Sequence, residues 1–301
     1  MNQELKKDMT AFLYEQGADI VGVASTKTWA RENMVPEAYR PDSLWPPAKS
    51  VIVIGLQMPL PVVETTPSVQ HRDFYNACNN SLDRLAFDVS RWLNRRGFAS
   101  LPLSRDGYAN IHILRKKPGA AFSHIFAAYY AGLGVIGINN TILTREYGPR
   151  VRFVSVFTKA ELPPNHMMKD NLCIRCGACS ELCPAHALKI DKKDLRNEKV
   201  IVAHYDKQAC TEWARLLTLR GCYPCGICIK VCPVGQDRTL YGREKTLPHY
   251  RKELTSPVLD AADPLHRQWN HIRNYGSLLF DETVTRKDTL QTVFQKIRNL
   301  K

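Results

Sequence analysis

No stretch of this chain is apolar for long enough to cross a bilayer. The longest run, Ile125 to Ile138, is about 14 residues, glycine-broken, and well short of the roughly 20 a spanning helix needs. The N-terminus lacks the basic, apolar and small-residue succession of an export signal, and Met1–Gln16 reads instead as a polar amphipathic helix. There is no low-complexity segment and no internal repeat apart from one doubled cysteine pattern. Acidic residues are scarce beside basic ones, 29 against 42, for a formal net charge of +13. These absences set aside a membrane-spanning protein and give the expectation of a cytoplasmic one. Cysteine is abundant, with 10 residues, and nine of them lie between Cys173 and Cys232. Clustered cysteines in a reducing compartment point to metal rather than disulfides.

Those nine include two copies of one spacing, Cys173-x2-Cys176-x2-Cys179-x3-Cys183-Pro184 and Cys222-x2-Cys225-x2-Cys228-x3-Cys232-Pro233. This is the sequence form of a site for two [4Fe–4S] clusters, in which the fourth cysteine of each run ligates the other run's cluster. Short loops let three thiolates converge on a compact core, and the proline then turns the chain away. Cys173, Cys176, Cys179 and Cys232 are therefore expected around the first cluster. The second takes Cys183, Cys225 and Cys228 and needs one more thiolate. Spacing nominates Cys222, and Cys210, on an expected helix over 209–219, is the rival. Cys78, remote in sequence, reads as a buried thiol. Two oxidised cubanes, each about −2 with its thiolates, bring the net charge to about +9. The excess falls in small groups at Arg95-Arg96, Arg115-Lys116-Lys117 and Lys192-Lys193, as on an ordinary solvated face or, alternatively, a basic surface for nucleic acid or an acidic electron donor.

Before the cysteines, helix and strand signals alternate. Met1–Gly17 is helical, Asp19–Ala24 is a short strand, and Val51–Gln57 is a β-branched, buried strand. His71–Arg96 carries Leu82, Leu85, Ala86, Val89, Trp92 and Leu93 on one helical face and ends at Gly97. Ser123–Gly132 reads as a further buried helix, and Val151–Phe157 alternates as a strand. Leu162–Asn165 marks a boundary. Domains are thus expected at 1–165, 166–240 and 241–301, the last a tail that docks on the rest and ends in a helix over 289–300.

Three stretches resemble the epoxyqueuosine reductase and reductive dehalogenase superfamily: Trp45–Ser50 leading into Val51–Gly55, Ala131–Asn140 followed by Glu146-Tyr147-Gly148, and the cysteine module with Cys210 upstream of Pro224–Pro233. The resemblance implies an α+β protein. A nitroreductase-like cobalamin-binding domain, of mixed sheet and helices, would precede a bacterial-ferredoxin-like double-cubane module. It implies Cys210, rather than Cys222, as the last ligand of the second cluster. Gly132, Gly134 and Gly137 would let the backbone approach a corrin, and Asn139, Asn140 and Thr141 would hydrogen-bond its amides. No Asp-x-His-x-x-Gly motif supplies a lower cobalt ligand, as suits a base-off cofactor. Flavin is the alternative occupant of the nitroreductase-like pocket.

Departures from the family matter as well. The tRNA-acting members carry an aspartate before the glycine-rich segment, where this chain has Lys117-Pro118-Gly119. They also carry a C-terminal helical-repeat domain with no counterpart here, and the export signal of respiratory dehalogenases is missing too. His124 is then the first candidate proton donor, with Asp106, Tyr108 and Tyr147 behind it. Trp269, His271, Arg273 and Tyr275 form an aromatic-basic group suited to docking. The expected function is a reductase that passes electrons from a low-potential donor, ferredoxin or flavodoxin, through two clusters to cobalamin and a small-molecule substrate. The alternatives are an electron-transfer or reactivation protein, a flavin-dependent reductase, and an enzyme acting on tRNA.

Overall fold

In the computed structural model the described residues are 2–117, 119–191, 203–245, 247–256, 269, 272–273 and 289–299. Pro118, the Lys192-Lys193 pair, His271 and Tyr275 lie outside them. The chain runs α1 (Gln3–Glu15), β1 (Ile20–Ser25), α2 (Lys27–Glu32), α3 (Pro41–Leu44), β2 (Ser50–Gln57), α4 (Leu60–Glu64), α5 (Val69–Asn94), β3 (Ser100–Pro102) and α6 (Ile111–Lys116). It continues through α7 (His124–Tyr130), β4 (Val135–Ile136), β5 (Ile142–Leu143) and β6 (Val151–Thr158). The cysteine region holds α8 (Ala178–Glu181), β7 (Leu188–Lys189), β8 (His204–Tyr205), α9 (Lys207–Leu219), α10 (Ile227–Lys230) and α11 (Asp237–Leu240). Last come α12 (Leu247–Thr255) and α13 (Leu290–Asn299).

A four-stranded sheet in the order β1-β2-β6-β3 lies at the centre of the N-terminal half. Its strands read as continuous apolar runs because both faces are covered. Ile52, Ile54, Val154 and Val156 point to one side, against Met9 and Leu13 of α1 and Leu82, Val89 and Leu93 of α5. Val51, Val53, Phe153 and Phe157 point to the other, against Trp29 of α2 and Ala127, Ala128 and Tyr130 of α7. α5 begins where the Ser68 hydroxyl accepts the His71 N–H at 3.0 Å, and the turn after it ends at Gly97 with φ of +85°.

Every pairing in this sheet is antiparallel, not mixed as expected. β2 and β3 do run the same way, joined by α5 as in a crossover unit, but β6 inserts antiparallel between them. Alternation of helix and strand signals cannot reveal a strand that enters the middle of a sheet from some 50 residues downstream.

The cysteine module has its own core, built from Ala178, Cys179, Leu182, Leu188, Trp213, Leu217, Ile227 and Val231. Tyr250, Trp269, Leu290, Val293, Phe294 and Ile297 from the C-terminal segment complete it. Trp213 meets Phe294 edge-on at 5.4 Å. Ile138, from the glycine-rich segment, belongs to the same core. Among the described residues no helix is long and apolar enough to cross a membrane.

Candidate iron–sulfur site

None of the 10 cysteines is in a disulfide. Cys173, Cys176, Cys179 and Cys232 line one cavity together with Ile138, Asn139 and Leu143. Burial pushes the Cys179 thiol up to about 12, and neighbouring Cys232, Cys176 and Cys173 push the same way. Cys183, Cys210, Cys225 and Cys228 form a second group. The Cys228 thiol is raised far above its ordinary range by burial and by Cys225, Cys210 and Cys183, with Cys179 of the first group also close enough to contribute. The two quartets are therefore neighbours, and each draws its last members from the far end of the motif.

Cys222 stands apart from this arrangement. It is fully buried, and its thiol donates to the Arg220 carbonyl at 3.2 Å. Cys210 is brought to the second quartet by α9, whose first turn is capped by Asp206, which accepts the Ala209 N–H at 2.9 Å.

Whether the second quartet suits a cluster can be judged from its surroundings. The Trp213 indole N–H is buried without a hydrogen-bond partner of good geometry, and it lies near enough to the Cys225 sulfur to favour its thiolate. The Ile227 N–H favours the same thiolate, and the Tyr205 hydroxyl bonds to Cys210. A buried N–H without a conventional acceptor is costly unless sulfur takes it. Donors directed at thiolates are what a cluster requires, so the residues fit the group.

The first quartet differs in two ways. It is the more exposed, with Cys176 at the surface beside Ile174, which is 67% exposed. It also has two buried cations against it. Arg150 and Arg238, 0% and 2% exposed, both hydrogen-bond the Cys232 carbonyl and both favour its thiolate.

Besides Arg150, further contacts join the N-terminal half to the cysteine module. The Thr66 hydroxyl donates to the Cys225 carbonyl. Asn139 Nδ2 donates to the Cys228 carbonyl at 3.4 Å. The Tyr108 and Tyr223 hydroxyls meet at 2.7 Å, with Tyr223 edge-on to Tyr75, whose ring lies 4.5 Å beneath the Arg152 guanidinium. Tyr223 and Arg152 went unnoticed in the sequence, although Tyr223 sits between Cys222 and Cys225. Burial raises the Tyr108 and Tyr223 phenols, so both keep their protons at neutral pH.

The residues nominated for a corrin are engaged elsewhere. Gly132 has φ of +70°, and a Cβ there would stand 2.1 Å from the His166 carbonyl. A Cβ at Gly134 would stand 2.3 Å from the Leu143 carbonyl, and one at Gly137 would strike Asn139 and Leu143. Gly132 thus lets the chain pass close to the His166 backbone, and Gly134 and Gly137 serve the β4–β5 hairpin's own packing. Asn139 Oδ1 accepts the Thr141 hydroxyl at 2.8 Å, and Asn140 makes the turn with φ of 61°. The contacts of these six residues are thus made within the chain itself.

His124 is held at both nitrogens. Nε2 lies 2.9 Å from the Ser104 carbonyl, which can only accept, so Nε2 carries the proton and Nδ1 accepts the Ser155 hydroxyl at 2.8 Å. Burial lowers its pKa to about 4. A neutral ring whose one proton is tied to a backbone carbonyl is a structural element, which counts against the expected donor role. Asp106 pairs with Arg152 at 3.1 Å, and the Tyr147 N–H donates to the Thr144 hydroxyl at 3.0 Å. Trp269 lies 4.5 Å from the Arg243 guanidinium, and Arg273 pairs with Glu253 and donates to the Glu64 and Thr65 carbonyls, so both are docking contacts.

Fold and thiol arrangement define a double-cubane iron–sulfur protein, and residues 172–235 match the family described as a 4Fe-4S double cluster binding domain. The chain is 29% identical over 198 residues to the tetrachloroethene reductive dehalogenase of Dehalobacter restrictus, covering 61% of this chain and 32% of that protein. It is 24% identical over 281 residues to the epoxyqueuosine reductase of Bacillus subtilis, covering 85% of this chain and 70% of that one. The catabolic reductive dehalogenase NpRdhA has a similar fold, with a TM-score of 0.59 and 18% identity over 83% of this chain and 35% of that one. The chain is thus similar in sequence to reductive dehalogenases and epoxyqueuosine reductases, and spans about a third of the length of the dehalogenases it matches.

Proposed function

We propose that this chain is a cytoplasmic reductase in which two [4Fe–4S] clusters pass single electrons to an acceptor held by the N-terminal half. Cys173, Cys176, Cys179 and Cys232 ligate the first cluster, and Cys183, Cys210, Cys225 and Cys228 the second. The observation that carries the reading is the direct contact of both quartets with the N-terminal half through Asn139, Thr66 and the Tyr108–Tyr223 pair. Kinship nominates a corrinoid as the acceptor, since one structural relative is described in terms of B12-dependent dehalogenation. A reduced corrinoid would supply the nucleophilic, low-potential cobalt chemistry. Because His124 is engaged, Tyr108, which keeps its proton at neutral pH, takes its place as candidate proton donor. An external low-potential donor would dock where Ile174 and Cys176 are exposed.

A second reading is favoured by one specific observation. The glycines and amides nominated for the corrin are engaged in packing, as expected of a protein that only relays electrons to a partner. Anaerobic expression with cobalamin present, followed by metal analysis and absorbance spectra, separates the two. About eight iron and one cobalt per chain support the reductase. Eight iron without corrinoid uptake selects the relay, and a yellow flavin spectrum selects a flavin-dependent reductase. Fewer than eight iron refutes both leading readings. Epoxyqueuosine left unchanged on incubation with the loaded protein removes the tRNA alternative.

A further inference from the structure

The two cysteine quartets have unlike electrostatic surroundings. Around Cys225 and Cys210 the donors are neutral: an indole N–H, a backbone N–H and a phenol. Around Cys232 they are guanidinium cations. Arg238 donates from Nε to the Cys232 carbonyl at 2.9 Å and from Nη2 to the Lys230 carbonyl at 2.6 Å. Its Nη1 donates to the Tyr250 hydroxyl at 3.0 Å. Among the described residues no carboxylate pairs with Arg238, the nearest route to one running through Tyr250 to Glu64 at 2.8 Å. Arg150 reaches the Cys232 carbonyl at 3.2 Å, but its charge is largely matched by Asp237 at 2.6 Å. Of the cations on this loop, Arg238 is the one that bonds the Cys232 carbonyl with no carboxylate at ion-pair distance among the described residues.

We propose that Arg238, backed by Arg150, raises the reduction potential of the cluster held through Cys232 above that of its neighbour, so that this cluster fills first. The inference rests on the ligand sets proposed above. Reduction takes one electron from a one-electron donor, which is oxidised by one; no bond breaks and no proton moves. The cluster with its thiolates goes from about −2 to about −3. A buried cation stabilises the more negative form, with an energy that low local dielectric amplifies. Cluster potentials respond to such charge and to hydrogen bonds on the sulfurs. The second cluster's thiolates receive neutral hydrogen bonds, and the cation on that side, Arg298, bonds the Pro184 carbonyl beside Cys183 rather than a ligand's own carbonyl. Arg238 is thus a positioning and tuning residue, not a catalytic one.

The experiment is an EPR-monitored titration of the anaerobic holoprotein with dithionite, with iron counted in each sample. In the wild type two one-electron steps are expected, and the signal altered in Cys176→Ser, at the exposed ligand, must be the one reduced first. Arg238→Gln is expected to make that cluster at least tenfold harder to reduce, a fall of about 59 mV, while the other cluster stays put. Arg238→Lys should restore most of it. If the Cys176-dependent cluster is the harder to reduce, or if Arg238→Gln carries its full iron and moves neither potential, the proposal is overturned. Wild-type ordering decides the matter even if Arg238→Gln fails to fold. Iron below eight per wild-type chain would instead refute the ligand sets.

Discussion

Removing Arg150 should uncouple the two halves of the molecule. Its guanidinium is fully buried and makes two bonds to Asp237, both at 2.6 Å. It also donates to the carbonyls of Val234 at 2.6 Å, Cys232 at 3.2 Å and Ile229 at 3.4 Å. Arg150→Met removes the cation and strands the Asp237 carboxylate, which is only 2% exposed. Stranding one partner of a buried ion pair costs about 3–5 kcal/mol. The unmet carbonyls add to that, although Arg238 still serves the Cys232 oxygen. Arg150→Met with Asp237→Leu removes both charges and should recover most of the loss, since a buried pair contributes little beyond an apolar pair of similar volume. The assay is anaerobic urea unfolding, followed by far-ultraviolet ellipticity and by bleaching of the cluster absorbance. With a slope of about 3 kcal/mol/M, the single variant should unfold about 1–2 M earlier. A loss under about 1 kcal/mol, or a double variant as weak as the single, would refute the reasoning.

Other consequences are quickly checked. Cys222→Ser should retain eight iron per chain, whereas Cys210→Ser should lose iron or convert one cluster; iron analysis with EPR decides, and the reverse pattern would return the fourth ligand to Cys222. Trp213→Phe keeps the ring in the core but deletes the N–H near Cys225, so it should lower the potential of the second cluster with iron content unchanged. His124 is a base whose folded pKa, about 4, lies below its ordinary 6.5. Between those values the unfolded chain holds more protons, so stability is lost as pH falls through the window, by at most about 3 kcal/mol. His124→Gln should flatten the dependence by about 1.4 kcal/mol per pH unit there, and urea midpoints from pH 7 to 5 that keep their slope would count against the half-buried neutral ring.

What could be read in advance follows from which forces are local. The helix of Leu82, Leu85, Val89 and Leu93 and the strand of Val51–Gln57 declare themselves because burial imposes a short period on neighbouring residues. The thiol spacing is local for the same reason: three ligands must reach one small core. The antiparallel insertion of β6 was hidden, because pairing between Gln57 and Val151 is a fact about residues nearly a hundred positions apart. Gly132 and Gly134 carried a true signal, close backbone approach, but sequence does not say what approaches; it is the chain's own His166 and Leu143 carbonyls. Arg150, Arg238 and Tyr223 were not singled out, since a lone arginine or tyrosine gains meaning only from what surrounds it.

The surroundings of Cys232 and Lys230 show why neither half is self-sufficient. Lys230, 1% exposed, stands between Cys228 and Cys232 and pairs with Glu253 of α12 at 2.7 Å. Glu253 also pairs with Arg273 at 2.6 Å, and Arg273 reaches back to the carbonyls of Glu64 and Thr65, beside the Thr66 that holds Cys225. Arg150 ties the same loop to the central sheet from the other side. The five-residue segment from Cys228, the last ligand of the second quartet, to Cys232, the last of the first, is thus fixed by cations and carboxylates from the N-terminal half, the module and the C-terminal segment. A change at Glu253, far in sequence from any cysteine, should therefore disturb both clusters together, whereas a change at Trp213 disturbs one. Local spacing can specify where iron binds, but the relation between the two clusters is specified by residues that no cysteine motif contains.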